Sequence, residues 1–280
     1  MLNFFRKFSN KLLFSVFLLF IICFSIFHSV GKDYNKKYIL VSVLPIKGIL
    51  ENLLGDKSKY YEINAIINTG VDHHHIDLSP VLIKKIDLAN YILEFGGLEL
   101  EKMLLTKASK TKVINLYDGF YDLNDPHVWL SLKNLKKIYI NTYNFIYSID
   151  KVNYKYYKNR LNLILSSIEL YDKQIKDKLI KYKGKYVLSY HNEYSYFAKD
   201  YGIDIIYYSY NESEPSLKDI EKIIDLMKKD KIAFILTASY YDNTVFDKIF
   251  QKSNKKVKII VLDPFNKDTI EVFKKIYLNL

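Results

Sequence analysis

Past the first thirty or so residues, short β-rich apolar runs alternate with stretches whose apolar residues recur every three or four positions, the signature of parallel α/β units. Two sets of four runs emerge. The first comprises Tyr38 to Leu44, Tyr61 to Ile67, Leu88 to Phe95 and Lys112 to Leu116; the second comprises Tyr186 to His191, Asp204 to Ser209, Ile232 to Thr237 and Lys258 to Asp263. Each set predicts a small sheet covered on both faces. From Leu130 to Tyr182 there is neither proline nor glycine, and Ile138, Tyr143, Ile146 and Tyr147, then Leu161, Ile164, Leu165 and Ile168, keep a helical spacing. Two helices are expected there. The second, from about Asn153 to Tyr182, would run roughly 42 Å if about 28 residues long, enough to cross from one sheet to the other and resist a wide hinge. The expected fold class is α/β: two lobes, each with a roughly four-stranded parallel sheet, joined by a long rigid helix. The boundaries expected are residues 32–150 for the first lobe, 151–183 for the linking helix and 184–280 for the second lobe.

Residues 1–31 differ in kind. Arg6, Lys7 and Lys11 precede a run from Leu12 to Phe27 that is apolar except for Ser15 and Ser25, and Ser29 and Gly31 then place small residues where a signal peptidase reads. This is an export signal. Its apolar stretch is short for a span of about 20 residues, which favours a cleaved leader over a retained anchor. Cleavage removes three positive charges and lowers the net charge from +11 to +8. Cys23, the only cysteine, lies inside the apolar run, so an intrachain disulfide and a thiolate metal site are excluded. A lipid on Cys23 is the alternative, although Ile22 before it is larger than the small residue such processing requires.

With 49% hydrophobic and 26% charged residues the chain is an ordinary globular mixture. Its lysines are scattered among Tyr, Ile and Asn rather than gathered into a basic block, which argues against nucleic acid as partner. All five prolines, Pro45, Pro80, Pro126, Pro215 and Pro264, fall at expected loops or element starts, where a missing amide donor costs nothing.

Three of those prolines flank the chemistry. Four separated residues, His74, His127, His191 and Asp263, lie at or beyond the ends of expected strands, and open α/β sheets bind ligands outside the carboxyl ends of their strands. They can face one cleft between the lobes. Neutral imidazoles and one carboxylate suit Zn(II) at about 2.0 to 2.2 Å and fill a four-coordinate shell. A helix beginning soon after "DPHVWL" would also disfavour a protonated ring at His127. Singly each residue reads as a surface or turn-capping group; the conjunction is what points to a metal. In the run His73, His74, His75 only one or two side chains can point inward, and the spacing to Gly70 and Pro80 favours His74, with His73 as substitute.

These segments carry a resemblance. From "SVLPIKGILENLLGD" through "NTGVDHHHIDLSP", "FGGLELEKML", "DPHVWLSLKN", "HNEYSYFAKDYG" and "SEPSLKDIEKI" to "VLDPF", the mature chain resembles the zinc and manganese substrate-binding proteins of bacterial ABC importers. The resemblance implies two lobes on a rigid helix, one metal in the cleft, and ligands at His74, His127, His191 and Asp263. It also implies a permease partner in the cytoplasmic membrane. Histidine rather than glutamate at position 191 favours Zn(II), with Mn(II) the alternative. The His- and acid-rich insert of many zinc-uptake members is missing from "LYDGFYDLN", and the triple histidine replaces a single one, so His73 or His75 can alter the shell.

The expected function is capture of Zn(II) outside the cytoplasmic membrane by a monomer that is not an enzyme, with release as acid protonates imidazoles near pH 6.5. A zinc hydrolase is the alternative from another class. It needs an open metal position and a base; no HExxH pair is present, and Glu193 is the one base near a candidate ligand. A surface adhesin on the same fold is compatible with metal binding.

Overall fold

The computed structural model describes residues 36–68, 79–108, 112–119, 125–209 and 213–280, and Tyr38–Leu280 forms one compact unit. The leader, with Cys23, lies outside the described residues. Among those described, no helix is long and apolar enough to cross a membrane.

The first sheet is built from β1 (Lys37–Val43), β2 (Tyr61–Ile67), β3 (Tyr91–Glu94) and β4 (Val113–Asn115), in the order β2-β1-β3-β4. The registered pairs β1 with β3 and β3 with β4 are parallel. In β1 every residue from Ile39 to Val43 is buried, as a central strand covered on both faces requires. Helix α1 (Leu44–Leu54) follows directly; Pro45 sits in its first turn, and Ile46, Ile49, Leu50, Leu53 and Leu54 make its buried stripe. Gly55, at φ +53, ends it. Helix α2 (Pro80–Leu88) and helix α3 (Glu99–Lys107) complete the layer. The strand expected from Leu88 is shorter in the structure: Leu88 closes α2 with 61% exposure, and β3 starts only at Tyr91. Asn90 fixes that start, since its side chain accepts from the Tyr38 amide at 2.8 Å.

Helices α4 (Leu132–Ile149) and α5 (Tyr154–Leu179) follow, the latter continuing into a 3-10 turn over Ile180–Tyr182. The second sheet contains β5 (Tyr186–Ser189), β6 (Asp204–Tyr207), β7 (Ile232–Ala238) and β8 (Lys258–Leu262) in the order β6-β5-β7-β8, all pairs parallel. Its helices are α6 (Ser195–Tyr201), α7 (Leu217–Lys228), α8 (Thr244–Ser253) and α9 (Thr269–Asn279).

At about 39 Å for 26 residues, α5 is the longest element among those described. Near one end Arg160 donates Nε to the Asn52 carbonyl of α1 at 2.8 Å, and near the other Lys178 donates Nζ to the Tyr277 carbonyl of α9 at 2.7 Å. Leu161, Ile164 and Ile168 are buried along its middle. Helix α1 also meets the loop after β8 directly. A Cβ built on Gly48 of α1 would lie 1.5 Å from the Lys267 carbonyl oxygen, so the close approach admits only glycine, and Lys267 pairs with Glu51. One hydrophobic core therefore runs from Ile39 and Leu93 through Trp129 to Leu236 and Phe265.

The carboxyl end of β3 is pinned by Glu101, which is wholly buried. Its Oε1 accepts from Ser42 Oγ at 2.6 Å and the Phe95 amide at 2.8 Å, and its Oε2 from the Gly96 and Leu98 amides at 2.8 and 3.0 Å. Burial raises its carboxyl, and these donors oppose the rise. Burial, reinforced by the charge of Glu101, pushes neighbouring Glu94 up to about 7 from its usual 4.5. Because the folded value lies above the unfolded one, the folded protein holds this proton more tightly. Stability should then fall as pH rises from about 4.5 to about 7 and level off beyond. Melting temperatures across that window should show the decline for the wild type and lose part of it in Glu94→Gln; parallel curves would refute the assignment.

Candidate metal centre

His127 is 1% exposed and stands in a tight loop where the Leu130 amide donates to its carbonyl at 2.9 Å, before Ser131 caps α4 by accepting from the Asn134 amide at 3.0 Å. The helix expected after "DPHVWL" begins at Leu132, and a side-chain group bonds the ring directly. That group is Asp125. Its Oδ1 accepts from His127 Nδ1 at 2.8 Å and from the His127 amide at 2.9 Å, and its Oδ2 accepts from the Ser195 amide at 2.9 Å. A carboxylate acceptor places the ring proton on Nδ1 and leaves Nε2 as the nitrogen with a lone pair for a metal. The same carboxylate couples the His127 loop to the start of α6.

His191 stands two residues past β5 rather than within it, and is 4% exposed. Its carbonyl accepts from Ser189 Oγ at 2.6 Å, and its ring centroid lies 6.1 Å from that of His127 at an interplanar angle of 82°. Asp263 directly follows β8 and accepts from the Phe265 amide at 3.1 Å. The chain after it folds onto the His127 loop: Trp129 donates Nε1 to the Pro264 carbonyl at 2.8 Å, and Phe265 lies 6.0 Å from His127 and 5.4 Å from Trp129 between ring centroids. Two imidazoles, one from the loop before α4 and one from the segment after β5, thus approach each other, with the Asp263 segment held beside them. His74, with His73 and His75, lies outside the described residues. Among the described residues no group of three His, Cys, Asp or Glu side chains stands close enough to hold a metal ion.

The family model described as ZnuA, zinc-uptake complex component A, periplasmic, matches residues 39–280. The chain belongs to the ZnuA family. Members of this kind are metal-binding substrate-binding proteins of ABC importers and not enzymes, so the hydrolase alternative falls. A protein of Chlamydia trachomatis serovar D is 29% identical over 266 residues, covering 90% of this chain and 94% of its own. The manganese ABC transporter substrate-binding lipoprotein PsaA of Streptococcus mitis is 25% identical over 232 residues, covering 75% of this chain and 74% of its own. A crystal structure of ZnuA shares the fold with a TM-score of 0.73 at 21% identity, over 86% of this chain and 96% of that one.

Within the ZnuA frame, two carboxyl groups stand beside the candidate ligands. Asp125 has a local signal, a carboxylate two residues before a histidine in "DPH". Glu193, already marked in the sequence as a base near His191, is wholly buried, its Oε1 has no hydrogen-bond partner among the described residues, and its Oε2 accepts from Tyr241 Oη at 3.4 Å. Burial, then the nearby charge of Asp125, raises its carboxyl well above the usual range, with Tyr241 opposing and Asp263 adding to the rise. The neutral acid is thereby favoured. Burial also raises Asp263, while the Phe265 amide and Lys275 oppose it. Among the described residues the carboxyl groups of Asp125, Glu193 and Asp263 thus gather near the two histidines, which suits a divalent cation as guest.

Proposed function

We propose that this ZnuA-family protein captures Zn(II) outside the cytoplasmic membrane through His74, His127, His191 and Asp263, and delivers it to the permease of an ABC importer. The observation that supports the reading is the approach of two buried imidazoles, one of them held through Nδ1 by Asp125. Two nitrogen donors from the described residues, with a third expected from His74, make a set better matched to zinc than to the oxygen-preferring manganese ion. Export by the leader over residues 1–31 puts the protein where such capture is useful. Manganese is the second reading, favoured by the streptococcal relative named for it.

Elemental analysis after purification from medium containing both metals tests the choice. One zinc per chain is expected, with manganese below a tenth of that; equal or greater manganese would overturn the zinc assignment. No bound metal, together with no shift in melting temperature when Zn(II) is added, would overturn the site itself.

A further inference from the structure

The end of the fold opposite the candidate metal centre carries an unusual surface. Here the amino ends of β1, β2 and β3 meet the α4 to α5 turn: Tyr91 packs against Phe145 at 5.2 Å between ring centroids, and Asp150 accepts from Tyr157 at 2.5 Å. At the turn Val152 is 92% exposed, flanked by Tyr147 and Tyr154, each 43% exposed and 6.4 Å apart between ring centroids. Tyr60 adds a fourth exposed apolar group at 48%. Lysines overlie these rings and their neighbours. Lys155 lies 6.0 Å from the Tyr154 ring, Lys158 5.4 Å from Tyr143, and Lys59 5.3 Å from Tyr60. Asp56, Glu62 and Asp150 are acidic groups at this end, and Asp150 is engaged by Tyr157 and Asn153.

Tyrosine rings with lysines lying along them are the chemistry of the headgroup layer, where the ring takes the boundary and the ammonium reaches anionic lipid. Lys57, 5.8 Å from the Tyr60 ring, and the exposed Lys151 of the α4 to α5 turn add to the positive charge of this end. We propose that this end rests reversibly on an anionic phospholipid surface. Seven residues of β1 separate it from the carboxyl ends of the strands, about 23 Å at 3.3 Å per residue. Docked this way, the metal centre points away from the bilayer toward its cargo, and the protein must lift off to meet a permease. The inference goes beyond the metal reading and does not depend on which ion is bound.

The test uses the mature chain, residues 32–280, carrying Val152→Cys as its only cysteine, labelled at position 152 with an environment-sensitive fluorophore. It is mixed with neutral phosphatidylcholine vesicles or with vesicles about one quarter phosphatidylglycerol. A blue shift of the emission is expected on the anionic vesicles only. It should reverse in about 0.5 M salt, where surface charge is screened, and vanish in Lys155→Glu/Lys158→Glu. A label on Leu217→Cys, 81% exposed at the start of α7, should not shift. Equal emission on both vesicle types, or an equal shift at position 217, overturns the proposal. The neutral-versus-anionic comparison needs no charge variant, so a folding defect in the double mutant leaves that comparison decisive.

Discussion

His127→Ala is expected to weaken zinc binding by roughly 10² to 10³-fold in a chelator-competition titration. A four-ligand zinc site is worth roughly 10 to 16 kcal/mol, so one ligand carries about 3 to 4. Asp125→Ala should cost less, about 10 to 100-fold, because it frees the ring without removing it. The order of the two effects is the informative part. If Asp125→Ala were the worse variant, the carboxylate itself would be at the metal and His127 would be its support. The apo fold should survive His127→Ala, with a loss of about 1 to 2 kcal/mol for the vacated space. The Asp125 Oδ2 bond to the Ser195 amide is untouched by that change.

Trp129→Ala should cause the largest loss of stability, about 3 to 5 kcal/mol by equilibrium urea unfolding. The indole is fully buried, stacks on Phe95 at 5.0 Å and 19°, and meets Phe265 at 5.4 Å. Its removal opens a large void and deprives the Pro264 carbonyl of its donor at once. Trp129→Phe separates the two terms: it keeps much of the packing and should cost about 1 kcal/mol plus the volume lost. A loss below about 1 kcal/mol for the alanine variant would mean that the seam between the His127 loop and the Asp263 segment is held by something else.

Much of this fold can be read from period alone. The run Tyr61 to Ile67 has the same bounds as β2, an edge strand whose Glu62 and Asn64 alternate with Tyr61, Ile63 and Ala65, and Ile232 to Thr237 falls one residue short of β7, a buried apolar run bounded by polar residues. Reading fails where an apolar residue belongs to a neighbouring element. Leu88 extends the apolar run before Tyr91 yet closes a helix, and Tyr190 extends β5 in the sequence but leaves the strand to stack on Tyr241 at 4.3 Å. The long helix is legible through its spacing, with its end drawn in to Leu179 before a tighter turn. For the site, His127 and His191 stand out by their positions beyond strands, and the two rings do approach each other. Glu193 is different. What makes it notable is the company of Asp125 and Asp263, 68 and 70 positions away in the chain, and no local period encodes such company.

The bracing of α5 at both ends, together with the Gly48 contact on Lys267, bears on how a membrane partner tells a charged carrier from an empty one. A body stitched this way is expected to keep its outline when it loads its cargo. The message has to be written in small print on the rim of the cavity, in the posture of a few loops, and a permease must inspect that rim at close quarters instead of sensing a jaw that has shut.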